Sequence, residues 1–84
     1  MNSIEVLILS ACYKHLQNGN SSINGDFLIE QLKLVCTESE LEILRSIDLL
    51  WEDNYLESSN GFYYLTDKSL KFFKKLGNGS ISNQ

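Results

Sequence analysis

The residues with the most chemistry in this 84-residue chain are its single histidine and two cysteines. Cys12 and His15 stand one helical turn apart, and Cys36 is a third possible ligand. A structural zinc site closes with four ligands at tighter spacings, so no metal site is expected. Cys36 lies just before an expected helix start, where a thiolate is favoured, but a plain thiol is the simpler reading. His15 falls inside an apolar stripe and reads as a core histidine. The sequence carries no glycine-rich phosphate loop and no carboxylate pair that can be placed in a cleft. An enzyme, a cofactor and a small-molecule substrate are therefore not expected.

The remaining chemistry is charge. Asp and Glu number 11 against 7 Lys and Arg, a net charge of −4. All the acids except Asp67 lie in residues 1–66, where Lys14, Lys33 and Arg45 are the only cations. Lys68, Lys71, Lys74 and Lys75 crowd into one later segment. An acidic body with one short basic element is a poor match to a phosphate backbone, which is held by Lys and Arg.

Those groups must be positioned by a small fold. The length bounds one domain, read as residues 1–77 with a disordered polar tail at 78–84. Apolar residues make up 43% and aromatic residues 11%, enough for a core, and there is no proline to interrupt helices. The start, MNSIEVLILSACY, has no basic residue ahead of its apolar run, and Glu5 interrupts that run, so it reads as a buried helix rather than a signal peptide. It is too short to span a bilayer. Two cysteines make no disulfide framework, and a cytoplasmic location with reduced thiols is expected.

Helix 1 is predicted over Ser3 to Asn18, with Asn18-Gly19 as its stop. Ile4, Leu7, Ile8, Ala11, Cys12, His15 and Leu16 make one stripe, and Val6, Leu9 and Tyr13 carry it well round the helix. So small a chain has little left to cover that surface, which predicts a homodimer through Val6, Leu9 and Tyr13. Helix 2 is predicted from about Asp26 to Leu34, with Asn24 or Asp26 as N-cap and Ile23 free to form a short strand. Thr37 and Glu40 spell a T-x-x-E capping box, so helix 3 is expected over Glu38 to Asp53. Leu41, Ile43, Leu44, Ile47, Leu50 and Trp51 are expected on its inner half. Asn60-Gly61, between Tyr55–Ser59 and Phe62–Thr66, is a strong hairpin signal. The register puts Leu56, Ser58, Tyr63 and Leu65 on the core face and Tyr55, Phe62 and Tyr64 on the other. Helix 4 is expected to start at Thr66 and to end at Gly77.

The fold class this order specifies is mostly α with a small β-hairpin (α+β), a winged helix-turn-helix in the order α1-(short β)-α2-α3-β-β-α4. The stretch LRSIDLLWEDNYLESSNGFYYLTDKSLKFFKKL resembles winged-helix transcriptional regulators of the multiple-antibiotic-resistance and phenolic-acid types. The resemblance covers roughly residues 23–76. Asn54 and Ser69 stand where those families usually carry glycine. The resemblance implies dimers that place helix 3 in the major groove of DNA and the wing on its backbone or minor groove.

Two functional readings follow. The first is regulation of transcription or another DNA transaction by a DNA-binding homodimer. Its contacts would be Ser39, Arg45 and Ser46 on helix 3, with Lys68 and Lys71 on phosphates. The alternative is a protein–protein interaction module or inhibitor that uses an acidic helix 3 without binding DNA, DNA mimicry included. Its contact residues would be Glu38, Glu42, Leu49, Glu52, Tyr55, Phe62 and Tyr64. Helix 4 is too short, and its apolar face too much needed by the core, to predict a membrane partner.

Overall fold

In the computed structural model the backbone is described for residues 1–81 and side chains through Leu76. Four helices and three short strands follow in the order α1 (Ser3–Gln17), β1 (Ile23–Asn24), α2 (Gly25–Val35), α3 (Glu40–Glu52), β2 (Leu56–Ser59), β3 (Phe62–Leu65) and α4 (Asp67–Ile81). The antiparallel sheet has the order β1-β3-β2. This is the mostly α, winged-helix topology expected from the sequence.

Local chemistry sets the boundaries. Asn2, rather than a residue inside the helix, caps α1 through a complete capping box with Glu5. Asn24 caps α2 by accepting the Phe27 N–H. Gly25 follows at a point of close approach: its N–H donates to the Gly61 carbonyl at 2.8 Å, and a Cβ there would sit 3.1 Å from the Tyr63 ring. The expected Thr37 box is not the start of α3. Ser39 is its N-cap, accepting the Glu42 N–H at 3.2 Å. The sequence spells two overlapping boxes, Thr37-x-x-Glu40 and Ser39-x-x-Glu42, and the second is the one in register with the buried face. At the other end Asn54 takes the left-handed conformation (φ 65). The Tyr55 N–H then reaches the Leu50 carbonyl and the Asn54 N–H the Trp51 carbonyl, a pattern that satisfies the last free carbonyls of the helix.

The hairpin has the register read from the sequence. Leu56 faces Leu65, Ser58 faces Tyr63 and Ser59 faces Phe62, leaving Asn60-Gly61 as a two-residue turn with both φ values positive. Leu56 is buried, and Tyr63 and Leu65 pack against the core. Tyr55 departs from expectation. It packs on the same core and sits edge-on to Phe72, because the turn after α3 swings it under α4. The start of α4 is clamped to that turn: the Thr66 hydroxyl donates to the Asn54 carbonyl and the fully buried Ser69 hydroxyl to the Tyr55 carbonyl. α4 itself runs past Gly77 to Ile81. A glycine inside a helix costs about 1 kcal/mol relative to alanine but keeps its hydrogen bonds, and no proline follows it. Residues 82–84 of the expected tail lie outside the described residues.

The core gathers Ile8, Leu9, Cys12, Ile23, Leu28, Leu32, Ile43, Ile47, Leu50 and Leu56 from α1, β1, α2, α3 and β2, while Tyr63 and Leu65 of β3 and Phe73 of α4 pack at its margin. Leu9 is therefore not available to a second copy, contrary to its assignment as a dimer residue. Tyr13 stacks on Phe73 at 4.3 Å, and Val6 is half-buried. α2, α3 and the sheet pack around α1, and Phe73 of α4 covers Tyr13, while Leu7 stays 37% exposed. No helix among the described residues is long and apolar enough to cross a membrane.

Candidate functional site

The face of α3 that points away from the core carries three exposed large apolar side chains. Ile43, Ser46, Ile47 and Leu50 form the buried side. Leu41, Leu44 and Trp51 were expected there too, yet they are 63%, 41% and 51% exposed. Leu41 stands two residues from Ile43, about 200° round the helix, so the two cannot share a side. With Asp48 these three residues form a second stripe at positions 41, 44, 48 and 51. Ser58 and Tyr63 from the sheet stand across from it. Together with Arg45 and Ile47 they line an open groove of about 560 Å³.

The two sets of sequence-derived site residues are scattered by this geometry. Of the DNA candidates, Ser46 is buried and cannot reach a base, because the helix phase that buries Ile43 and Ile47 brings it inward. Ser39 is exposed, but its hydroxyl is engaged as the N-cap. Arg45 lines the groove with its Nη1 3.4 Å from Glu42. Lys68 caps the far end of α3, donating to the Asp53 carbonyl at 2.7 Å while lying 4.3 Å over the Tyr55 ring. A cation at a helix C-terminus is favoured by the helix dipole. Lys71 is exposed on α4. Of these five, only Arg45 lines the groove.

Of the protein-contact candidates, Glu38, Glu42 and Glu52 are exposed, and Leu49 is 44% exposed. None of them lines the groove. Leu49 stands about 100° from Asp48 on the helix and is cut off from the leucine and tryptophan stripe. Tyr55 is committed to the core. Phe62 is exposed, and Tyr64 is half-buried beside its cross-strand partner Glu57. The hydrogen bond and then the charge of Glu57 raise the Tyr64 phenol above its ordinary pKa. The residues that do converge, Leu41, Leu44, Asp48 and Trp51, were hidden by one apolar count that merged two stripes. Their 3-4-3 spacing, distinct from 43/47/50, is the signal that separates them.

The charged residues that line the groove are Arg45 and Asp48. Lys33 is held by Glu40 at 3.3 Å and Glu30 at 3.7 Å, and the Glu40 hydrogen bond and charge raise its pKa. Arg45 is likewise paired. Asp48 forms no ion pair among the described residues. The thiols lie elsewhere: Cys12 is buried, and burial pushes it up to about 12; Cys36 is the half-buried C-cap of α2. His15 sits half-buried beside Phe27, at a ring distance of 5.8 Å, along a second groove between α1 and α2 lined by Leu7, Ala11 and Val35. No group of three or more metal-binding side chains is gathered among the described residues. No family model, curated protein or solved structure matches the chain.

Proposed function

We propose that this winged helix is a protein–protein interaction module whose binding face is the groove between α3 and the wing. The observation that carries this reading is the stripe of Leu41, Leu44 and Trp51, exposed at 63%, 41% and 51% on the helix that a DNA-binding winged helix would use for bases. Exposed leucine and tryptophan gathered on one face favour a protein partner. The same face offers Arg45 as its one cation, already paired with Glu42, while Asp48 would lie against phosphates. Anchoring on DNA needs Lys and Arg at several phosphates. The reading thus keeps the fold expected from the sequence and moves its use from DNA to protein.

The test has two arms. Duplex DNA titrated at low salt should show no binding at concentrations on the order of tens of micromolar, where non-specific DNA binders are held by phosphate contacts. The immobilised chain should capture a protein from cell extract, and Leu44→Asp should lose it while Leu49→Asp keeps it. DNA binding that weakens steeply with salt and falls in Arg45→Ala would overturn the proposal in favour of the first sequence reading.

A further inference from the structure

The chemistry of the groove goes further than a partner of unspecified kind. We infer that it receives a basic amphipathic helix that carries Lys or Arg opposite Asp48; this rests on the protein-binding reading above. The spacing is the first reason. Leu41, Leu44, Asp48 and Trp51 step by three, four and three residues, the repeat that faces a second helix packed alongside. A ridge of this kind leaves holes one turn apart, which a helix fills with its own i, i+3 and i+4 side chains. Ser58 and Tyr63 supply the opposite wall, so the incoming helix lies along α3 against the sheet.

Charge is the second reason. Asp48 sits in the stripe, between Leu44 and Trp51, and no cation of the described residues pairs with it. Covering it with an apolar or acidic element would desolvate an unpaired carboxylate. A Lys or Arg over Asp48 removes that cost, and the exposed Trp51 ring one turn on can accept the face of the same or a neighbouring cation. Arg45, the cation that lines the groove beside Asp48, is matched by Glu42 at 3.4 Å.

A second copy of this chain fits less well. Its α3 would bring a second Asp48 and only one cation. Its α4 carries lysines, but Phe72 and Phe73 are committed to Tyr55 and Tyr13. The exposed Leu70 and Leu76 are six residues apart, about 120° round the helix, and form no continuous ridge.

The experiment uses the full chain labelled with ¹⁵N and synthetic peptides of about four helical turns. One peptide has leucines at heptad spacing, flanking lysines and an arginine in the central seam position; its twin has glutamates in place of every cation. The basic peptide should shift the amides of Leu41, Leu44, Asp48, Trp51, Ser58 and Tyr63. It should bind about tenfold or more tighter than its acidic twin, since like charges facing each other repel. Asp48→Lys should reverse that preference, and Asp48→Asn should weaken it. Equal binding of both peptides, or shifts confined to the α1–α2 groove, would overturn the inference. So would a dimer in sedimentation that Leu44→Asp dissolves, since a second copy would then hold the groove. If the peptides fail while a protein is still captured through Leu44, this inference falls and the protein-binding reading stands. If salt-sensitive DNA binding appears instead, both fall.

Discussion

The two apolar sides of α3 are alike in composition and opposite in fate. On one side Ile43, Ile47 and Leu50 are between 0% and 3% exposed. On the other Leu41, Leu44 and Trp51 keep about half their surface in solvent. The difference is what comes across to meet them. α1, α2 and β2 pack on the first side, whereas across the groove from the second stand only Ser58 and Tyr63, a cross-strand pair of the sheet. One helix thus holds the domain together with one face and leaves the other open. A helix apolar on two sides is usually buried on both, and here only one of the two is covered among the described residues.

The sharpest test of that contrast is a pair of truncations. Leu50→Ala should cost about 2–5 kcal/mol, the range for a buried leucine whose cavity cannot fully collapse. Leu44→Ala should cost only about 0.5 kcal/mol, as surface changes do. Urea denaturation of both variants measures this directly, and equal losses would mean that the outer stripe is part of the core. Next in size is Ser69→Ala. It leaves the part-buried Tyr55 carbonyl with only the Thr66 N–H at 3.4 Å, and the expected loss is about 1–3 kcal/mol. A smaller effect tests the phase of the helix. Ser39→Ala should cost about 1 kcal/mol as a lost N-cap, while Thr37→Ala should stay within about 0.5 kcal/mol. The reverse result would restart α3 at Thr37.

The last prediction compares core with margin through the thiols. A disulfide reagent at neutral pH should modify Cys36 and leave Cys12 untouched until the chain unfolds. Alkaline pH sharpens it. Folding raises the Cys12 thiol from 9.0 to about 12, so below pH 9.0 folded and unfolded states bind the same proton and nothing changes. Above pH 9.0 only the unfolded thiol ionises, and stability should fall as pH rises towards about 12. Lys33, raised by Glu40, acts with the same sign above its ordinary value. The pH dependence of the melting temperature between pH 8 and 10.5 should be shallower in Cys12→Ala.

Much of the architecture was legible because its signals are local. The Asn60-Gly61 turn and the placing of Leu56, Tyr63 and Leu65 toward the core each involve residues a few positions apart, and each appears as read, whereas Ser58, read onto the same face, is exposed. The element order that makes a winged helix also appears as read. Three features were decided only by contacts between distant parts of the chain. Two overlapping capping boxes compete for the start of α3, and packing selects Ser39. Lys68 reads as a free cation until the fold brings it to the Asp53 carbonyl, fifteen residues away. The leucines and tryptophan of α3 read as one core face until α1 and β2 choose a side. Periodicity states that a helix has apolar stripes; only the elements laid against it determine which stripe is buried and which stays exposed.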